Sequence, residues 1–206
     1  MIRLLYITVS PRGEYSYSLR ASNAFIDSYR KTHPNDEIVM KNLSTTHLPD
    51  LGTDAIIGRY SIIKGIEHTP EQAKIWQEIK SVIDEFKSFD KYVISTPMWN
   101  FGIPYKLKHY IDVITHPTFT FGYVDGKRVG YMKGKPVVCI YARGGEYKGK
   151  RKKHDFQKPY LEWALTFIGF EDIKAIVIEP TTAGDDIAKE KLEKAIRKTR
   201  RIAKAF

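Results

Sequence analysis

The chain reads as an α/β protein: a five-stranded parallel sheet, doubly wound, with helices on both faces and a hairpin excursion after the third strand–helix unit. Three observations predict this. Five short apolar, β-branched runs alternate with segments of helical periodicity. Connections of helix length between successive strands imply parallel neighbours with right-handed crossovers. Internal repeats, low-complexity linkers and composition breaks are absent over 206 residues, so one domain covering 1–206 is expected.

The elements follow in order. Residues 2–9 form the first strand, too short and too interrupted by Thr8 for a signal peptide. Residues 17–32 set Leu19, Ala21, Phe25, Ile26 and Tyr29 roughly on one helical face. Pro34-Asn35-Asp36 is a turn, and the alternation of 37–43 suggests an edge strand. Within the polar stretch 44–69, residues 55–64 allow a short helix. Thr69-Pro70-Glu71-Gln72 opens the next helix with a cap, a first-turn proline and a third-position glutamine, and that helix runs to about Ser88. The third strand, 91–95, is followed by a helix over 104–115. Phe119 to Tyr131 flanks Asp125-Gly126 and predicts a hairpin. The fourth strand is 136–141, a helix follows over 156–169, the fifth strand is 173–179, and a charged helix closes the chain at 184–205.

Composition narrows the function classes. The chain holds 34 basic and 24 acidic residues, a net charge of +10, which favours anionic ligands without naming a chemistry. Cys139 is the single cysteine and sits in the apolar run 136–141, so it reads as an inert core thiol in a reducing, cytoplasmic protein. No segment approaches membrane-spanning length. The six histidines show no metal-ligand spacing, and no metal is expected. The Lys148–Lys153 run reads first as a solvated charge run and next as an attractor of nucleotide phosphates, and no nucleic-acid motif accompanies it.

Open α/β sheets bind ligands in loops at the carboxyl ends of their strands, and three such loops carry signals. After the first strand, Ser10 and the Tyr15-Ser16-Tyr17-Ser18 run offer hydroxyls at a helix start, which can cap the helix or seat a phosphate. Neither a Walker loop nor a Gly-x-Gly-x-x-Gly fingerprint is present. After the third strand, Pro97, Met98, Trp99, Asn100 and Phe101 set aromatics beside one amide, a combination suited to a flat heteroaromatic ring, and Gly102 allows close approach. After the fourth strand, Ala142, Arg143, Gly144 and Gly145 include paired glycines that permit backbone conformations closed to other residues.

With these loops in view the chain resembles, over nearly its whole length, the FMN-dependent NADH azoreductases among the flavodoxin-like quinone reductases. The resemblance rests on Ser10 with Tyr15–Ser18, on Pro97–Phe101, and on Arg143-Gly144-Gly145. It implies that Ser10, Ser16, Tyr17 and Ser18 contact the FMN phosphate, and that Pro97, Met98 to Phe101 and Ala142 to Gly145 contact the ring. Members usually carry Tyr at Trp99, a polar residue at Tyr17 and Ser at Ala142. The implied activity is two-electron, ping-pong reduction of quinones and azo compounds by NADH or NADPH, in a homodimer with flavin sites near the subunit interface. The cofactor carries such chemistry, so no catalytic side chain is assigned. Phe119, Phe121 and Tyr123 are candidates for a substrate lid, or else hairpin core or dimer contacts. The alternative is a flavodoxin-like electron carrier without its own substrate, against which the basic surface argues.

Overall fold

The computed structural model describes residues 1–206. Its strands and helices are β1 (Arg3–Thr8), α1 (Tyr17–Thr32), β2 (Glu37–Asn42), α2 (Thr53–Lys64), α3 (Pro70–Lys87), β3 (Lys91–Pro97), α4 (Tyr105–Ile114), β4 (Phe121–Val124), β5 (Lys127–Gly130), β6 (Val137–Ala142), α5 (Lys158–Ile168), β7 (Ile173–Ile178) and α6 (Asp185–Lys204). Five of the strands form one parallel sheet ordered β2-β1-β3-β6-β7, and β4-β5 is a separate antiparallel hairpin. The expected fold class and hairpin excursion are therefore present, and β2 is the edge strand that its alternation suggested.

Strand alternation splits the core into two layers. Leu5 and Ile7 of β1, Tyr92 and Ile94 of β3, and Val137, Cys139 and Tyr141 of β6 pack under α4 and α5. The intervening Leu4, Tyr6, Val93, Val138 and Ile140 face α1 and α6. Both faces of the central strands are covered, which is why those strands read as continuous apolar runs rather than alternating ones. Cys139 lies fully buried, and burial pushes its thiol up to about 12, so it stays protonated and unreactive. Thr69 and Gln72 close a reciprocal capping box on α3, with Gln72 N–H donating to Thr69 Oγ1 at 3.2 Å and Thr69 N–H to Gln72 Oε1 at 3.0 Å. The helix read over 156–169 is α5, Lys158–Ile168, and the exposed Gly149–His154 segment before it forms a 3₁₀ turn.

Chain direction fixes where a ligand can enter. From β1 the chain steps outward to β2, then crosses back to add β3 on the other side of β1. The loops after β1 and β3 therefore diverge and leave a crevice at the strands' carboxyl ends, the switch point of an open sheet.

The hairpin is held to the body by a close backbone contact as well as by the side chains of Phe121 and Arg128 on Phe167. A Cβ on Gly130 would come within 2.3 Å of the Gly169 nitrogen, and one on Gly169 within 2.7 Å of the Gly130 carbonyl carbon. Met132 N–H donates to Ile168 O at 2.9 Å across the same contact. Gly126, at the hairpin tip with φ +72°, would meet nothing within 4 Å. In thermal or denaturant unfolding, Gly130→Ala should cost about 2–3 kcal/mol by overpacking a backbone contact. Gly126→Ala, whose penalty is conformational alone, should cost about 1 kcal/mol; equal costs would contradict the contact.

Candidate active site

A cleft of about 250 Å³ opens at the carboxyl edge of the sheet, lined by Ser10, Arg12, Ser16 and Tyr17, by Pro97, Met98 and Trp99, and by Ala142, Gly144, Thr181 and Thr182. Its walls are the loops after β1, β3, β6 and β7. A larger groove of about 880 Å³ lies beside β2 between α1 and α6. That groove touches only one of these loops, and its charges, Glu14 and Asp27 against Arg20 and Arg200, balance.

The first wall is a helix N-terminus. Ser16 caps α1, its Oγ accepting from Leu19 N–H at 3.4 Å and lying 3.2 Å from Ser18 Oγ. Ser10 Oγ accepts from Arg12 N–H at 3.4 Å. Ser10, Ser16 and Ser18 are all buried, while Arg12 is exposed at the rim. The amides of Tyr17 and Ser18, first in α1, make no hydrogen bond within the chain. Two free N–H groups, three hydroxyls and the positive end of a helix dipole together favour an oxyanion.

The second wall is strained. Trp99 and Gly102 exchange both backbone hydrogen bonds, at 3.0 and 2.9 Å, so Asn100 and Phe101 form a two-residue turn. Both central residues have left-handed φ, 46° and 72°, as a type I′ turn requires. Asn tolerates that region, but Phe does so at a cost of about 1–2 kcal/mol. The amides of Asn100 and Phe101 are left without a partner in the chain, and the loop is pinned by Met98 N–H to Ala142 O at 2.8 Å and by Phe156 N–H to Phe101 O at 3.0 Å.

The third wall differs from expectation in its mechanism. Neither Gly144 nor Gly145 has positive φ. Gly144 is constrained by space instead, since a Cβ there would sit 3.3 Å from Thr182 Cγ2; one on Gly145 would meet, at 3.2 Å, only the movable end of exposed Arg151. Their amides are also unpaired within the chain.

Arg143 is placed otherwise than the resemblance implied. Its side chain, 3% exposed, turns into the protein. Nη1 pairs with Asp155 at 2.9 Å and Glu179 at 3.4 Å, and Nε donates to Gln157 Oε1 at 3.0 Å. Gln157 in turn donates to Thr96 O at 3.3 Å, and Glu179 accepts from Tyr147 N–H at 3.2 Å. Arg143 N–H donates to Ile178 O and its carbonyl accepts from Thr181, so its backbone is also spent. Arg143 fastens the loops from behind and does not line the cleft.

The hairpin aromatics stand apart from the cleft lining. Phe119 packs edge-on against Trp76 and His116, with centroids at 5.8 and 5.4 Å. His116 is buried there, and desolvation lowers its pKa to about 4, keeping the ring neutral. Phe121 packs on Phe167 at 4.7 Å, and Tyr123 is exposed. Sequence reasoning missed Arg12, Thr181 and Thr182. Arg12 sat in view inside the first loop; the threonines follow the fifth strand, whose carboxyl end reaches the same edge.

Comparison with known proteins places this arrangement. A protein family described as having a flavodoxin-like fold matches residues 2–203. An FMN-dependent NADH:quinone oxidoreductase of Nitratidesulfovibrio vulgaris (strain DP4) is 43% identical, with 100% of both chains covered. FMN-dependent NADH:quinone oxidoreductase 9 of Burkholderia lata is 37% identical, again over 100% of both chains. Among solved structures, an azoreductase from Bacillus anthracis superposes with a TM-score of 0.94 at 30% identity, covering 100% of each chain. An FMN-dependent NADH-azoreductase of the same organism, solved in complex with FMN, gives 0.91 at 29% identity over 98% of each chain. With its fold, its switch-point cleft and these end-to-end matches, the chain belongs to the flavodoxin-like family of FMN-dependent NADH:quinone oxidoreductases and azoreductases.

Proposed function

We propose that this protein is an FMN-dependent oxidoreductase that uses NADH or NADPH to reduce quinones and azo compounds. One observation carries the reading: six backbone N–H groups, of Tyr17, Ser18, Asn100, Phe101, Gly144 and Gly145, lack partners within the chain; Tyr17 and Gly144 line the cleft, and the other four follow closely on Tyr17, Trp99 or Gly144 in the loops that wall it. Ser18 is buried and Tyr17, Gly144 and Gly145 are half-buried, while Asn100 and Phe101 are exposed at the rim; free donors gathered along a concave edge suit a ligand rich in acceptors.

The residues fit FMN. Tyr17 and Ser18 N–H, with the hydroxyls of Ser10, Ser16 and Ser18, would hold its phosphate, and Arg12 at the rim would add charge. Pro97, Met98 and Trp99 supply an apolar wall for a ring. The amides of Asn100, Phe101, Gly144 and Gly145 would meet the ring's polar edge and favour negative charge there. Ala142 offers no hydroxyl, and Thr182 Oγ1 is committed to Gly144 O at 2.9 Å. The chemistry supplied by bound FMN is two-electron hydride exchange, with the nicotinamide donor and then the acceptor in ping-pong order. The chain contributes placement and electrostatics, and no side chain need act as acid or base.

Of the hairpin aromatics, exposed Tyr123 and half-buried Phe121 are the proposed acceptor contacts, while Phe119 serves packing. The exposed rings of Phe101, Phe156 and Trp163 support assembly as a homodimer through this side of the molecule. No helix is long and apolar enough to cross a membrane. A cytoplasmic location belongs to the same proposal, in keeping with one buried, unpaired cysteine.

The protein should take up FMN and turn yellow, bleach on anaerobic addition of NADH, and regain colour when benzoquinone is supplied; failure to bind FMN would defeat the proposal. Strain in the ring loop gives a second expectation. Phe101→Gly should raise unfolding stability by about 1 kcal/mol, because glycine adopts left-handed φ freely. It should also weaken FMN binding, because the loop's amides lose their fixed orientation. Equilibrium denaturation and flavin titration check the two effects, and unchanged stability would show that the turn holds no strain.

A further inference from the structure

A second anion site lies outside the cleft. β7 is the outer strand at one edge of the sheet, and a groove of about 360 Å³ runs along it between α6 and the start of α5. Five lysines line this groove, Lys148, Lys158, Lys191, Lys194 and Lys198, with no arginine. Lys191, Lys194 and Lys198 lie at i, i+3 and i+7, one stripe of α6 turned toward the strand.

The charge in the groove is largely unneutralised. Glu179 is its only acid, and that carboxylate is already engaged by Arg143 and by Tyr147 N–H. Lys194 and Lys198 have no carboxylate partner; Lys191 reaches Glu190 only at 3.9 Å, and Lys148 reaches Glu146 at 3.4 Å in solvent. Lys158 alone has a close partner, Glu162 at 2.8 Å.

Lysines beside an edge strand also serve to discourage pairing with other chains. Lys198 does this, its Nζ donating to Ala175 O at 2.9 Å. The other four make no hydrogen bond to β7, so guarding the edge does not account for their convergence on a concavity.

We propose that this groove binds a compact oligophosphate, such as inorganic tripolyphosphate or the phosphate chain of a nucleotide. Lysine is a point charge on a flexible stem, suited to a chain of tetrahedral phosphates. Five lysines against one engaged carboxylate favour a ligand with several negative charges over a single carboxylate. A bound polyanion would also relieve repulsion among ammonium groups crowded on one edge. The groove adjoins the exposed Lys150–Lys153 run, which would draw anions toward it. The segment from Glu179 to Thr182 separates the two sites, Glu179 lining the groove and the threonines lining the cleft.

The test is calorimetric titration of the full chain at low ionic strength with sodium tripolyphosphate, ATP, orthophosphate and a single-stranded oligonucleotide, with and without added FMN. Lys191→Gln/Lys194→Gln serves as the comparison, since both side chains project from an accessible helix flank, and circular dichroism checks its fold. One tripolyphosphate should bind per chain, more tightly than orthophosphate, and the double variant should lose about tenfold or more in affinity, as expected for two charge-assisted contacts. ATP binding as well as tripolyphosphate assigns a nucleotide ligand, and weaker ATP binding assigns a bare phosphate chain; both support the groove. Absent saturable binding, equal affinity in the variant, or preference for a single-stranded oligonucleotide through the same lysines would overturn the proposal. The variant comparison does not depend on flavin uptake, so this outcome is separable from that of the FMN experiment.

Discussion

The buried guanidinium of Arg143 is the constraint on which the active edge depends. Four chain segments meet at it: the end of β6 that carries it, Asp155 and Gln157 ahead of α5, Glu179 at the end of β7, and Thr96 of β3 through Gln157. Asp155 spends its other oxygen on the Gln157 and Lys158 amides, so the same network starts α5. Breaking a buried pair by removing one partner costs about 3–5 kcal/mol, because the stranded charge cannot be rehydrated. Two stranded carboxylates would loosen the loops before they loosened the sheet.

That network explains how free amides can be held open. Loops rich in unpaired N–H groups would ordinarily collapse to satisfy themselves. Here the loop after β3 is pinned from behind at Met98 and Phe101, and the loop after β6 is pinned by Arg143 and Thr181. The left-handed φ of Phe101 is tolerated for the same reason, since the flanking Trp99–Gly102 ladder overdetermines the turn. Donors fixed in advance need little reorganisation when a ligand arrives, which is how a cleft with no acid or base can still favour charge on its ligand.

The sheet was legible because its central strands are buried on both sides and carry unbroken apolar runs such as Tyr92–Ile94 and Val137–Tyr141. The site was legible where chemistry is local: serines before a helix, an amide among aromatics after a strand. It was less legible where tertiary context decides. Arg143 sits inside a motif of ring contacts, yet nothing local says that Asp155 and Glu179, 12 and 36 residues away, will draw it inward. Gly144 and Gly145 were expected for their torsional freedom yet have no left-handed φ, and Gly144 sits instead tight against Thr182, a neighbour no local pattern reveals. The basic residues at Lys148 and on α6 read separately as solvated faces, and only the packing of α6 against β7 brings them together.

The most direct measurement is the FMN dissociation constant of Arg143→Met, with far-UV circular dichroism and thermal melting to confirm that the sheet persists, and with Arg143→Lys as the milder companion. Arg143 is not among the residues that line the cleft, so a residue that mattered only locally would leave the constant unchanged. The account predicts a folded, less stable protein whose flavin affinity falls by about tenfold or more, as loosened amides cost binding energy. A folded variant that binds FMN as tightly as the parent would contradict it.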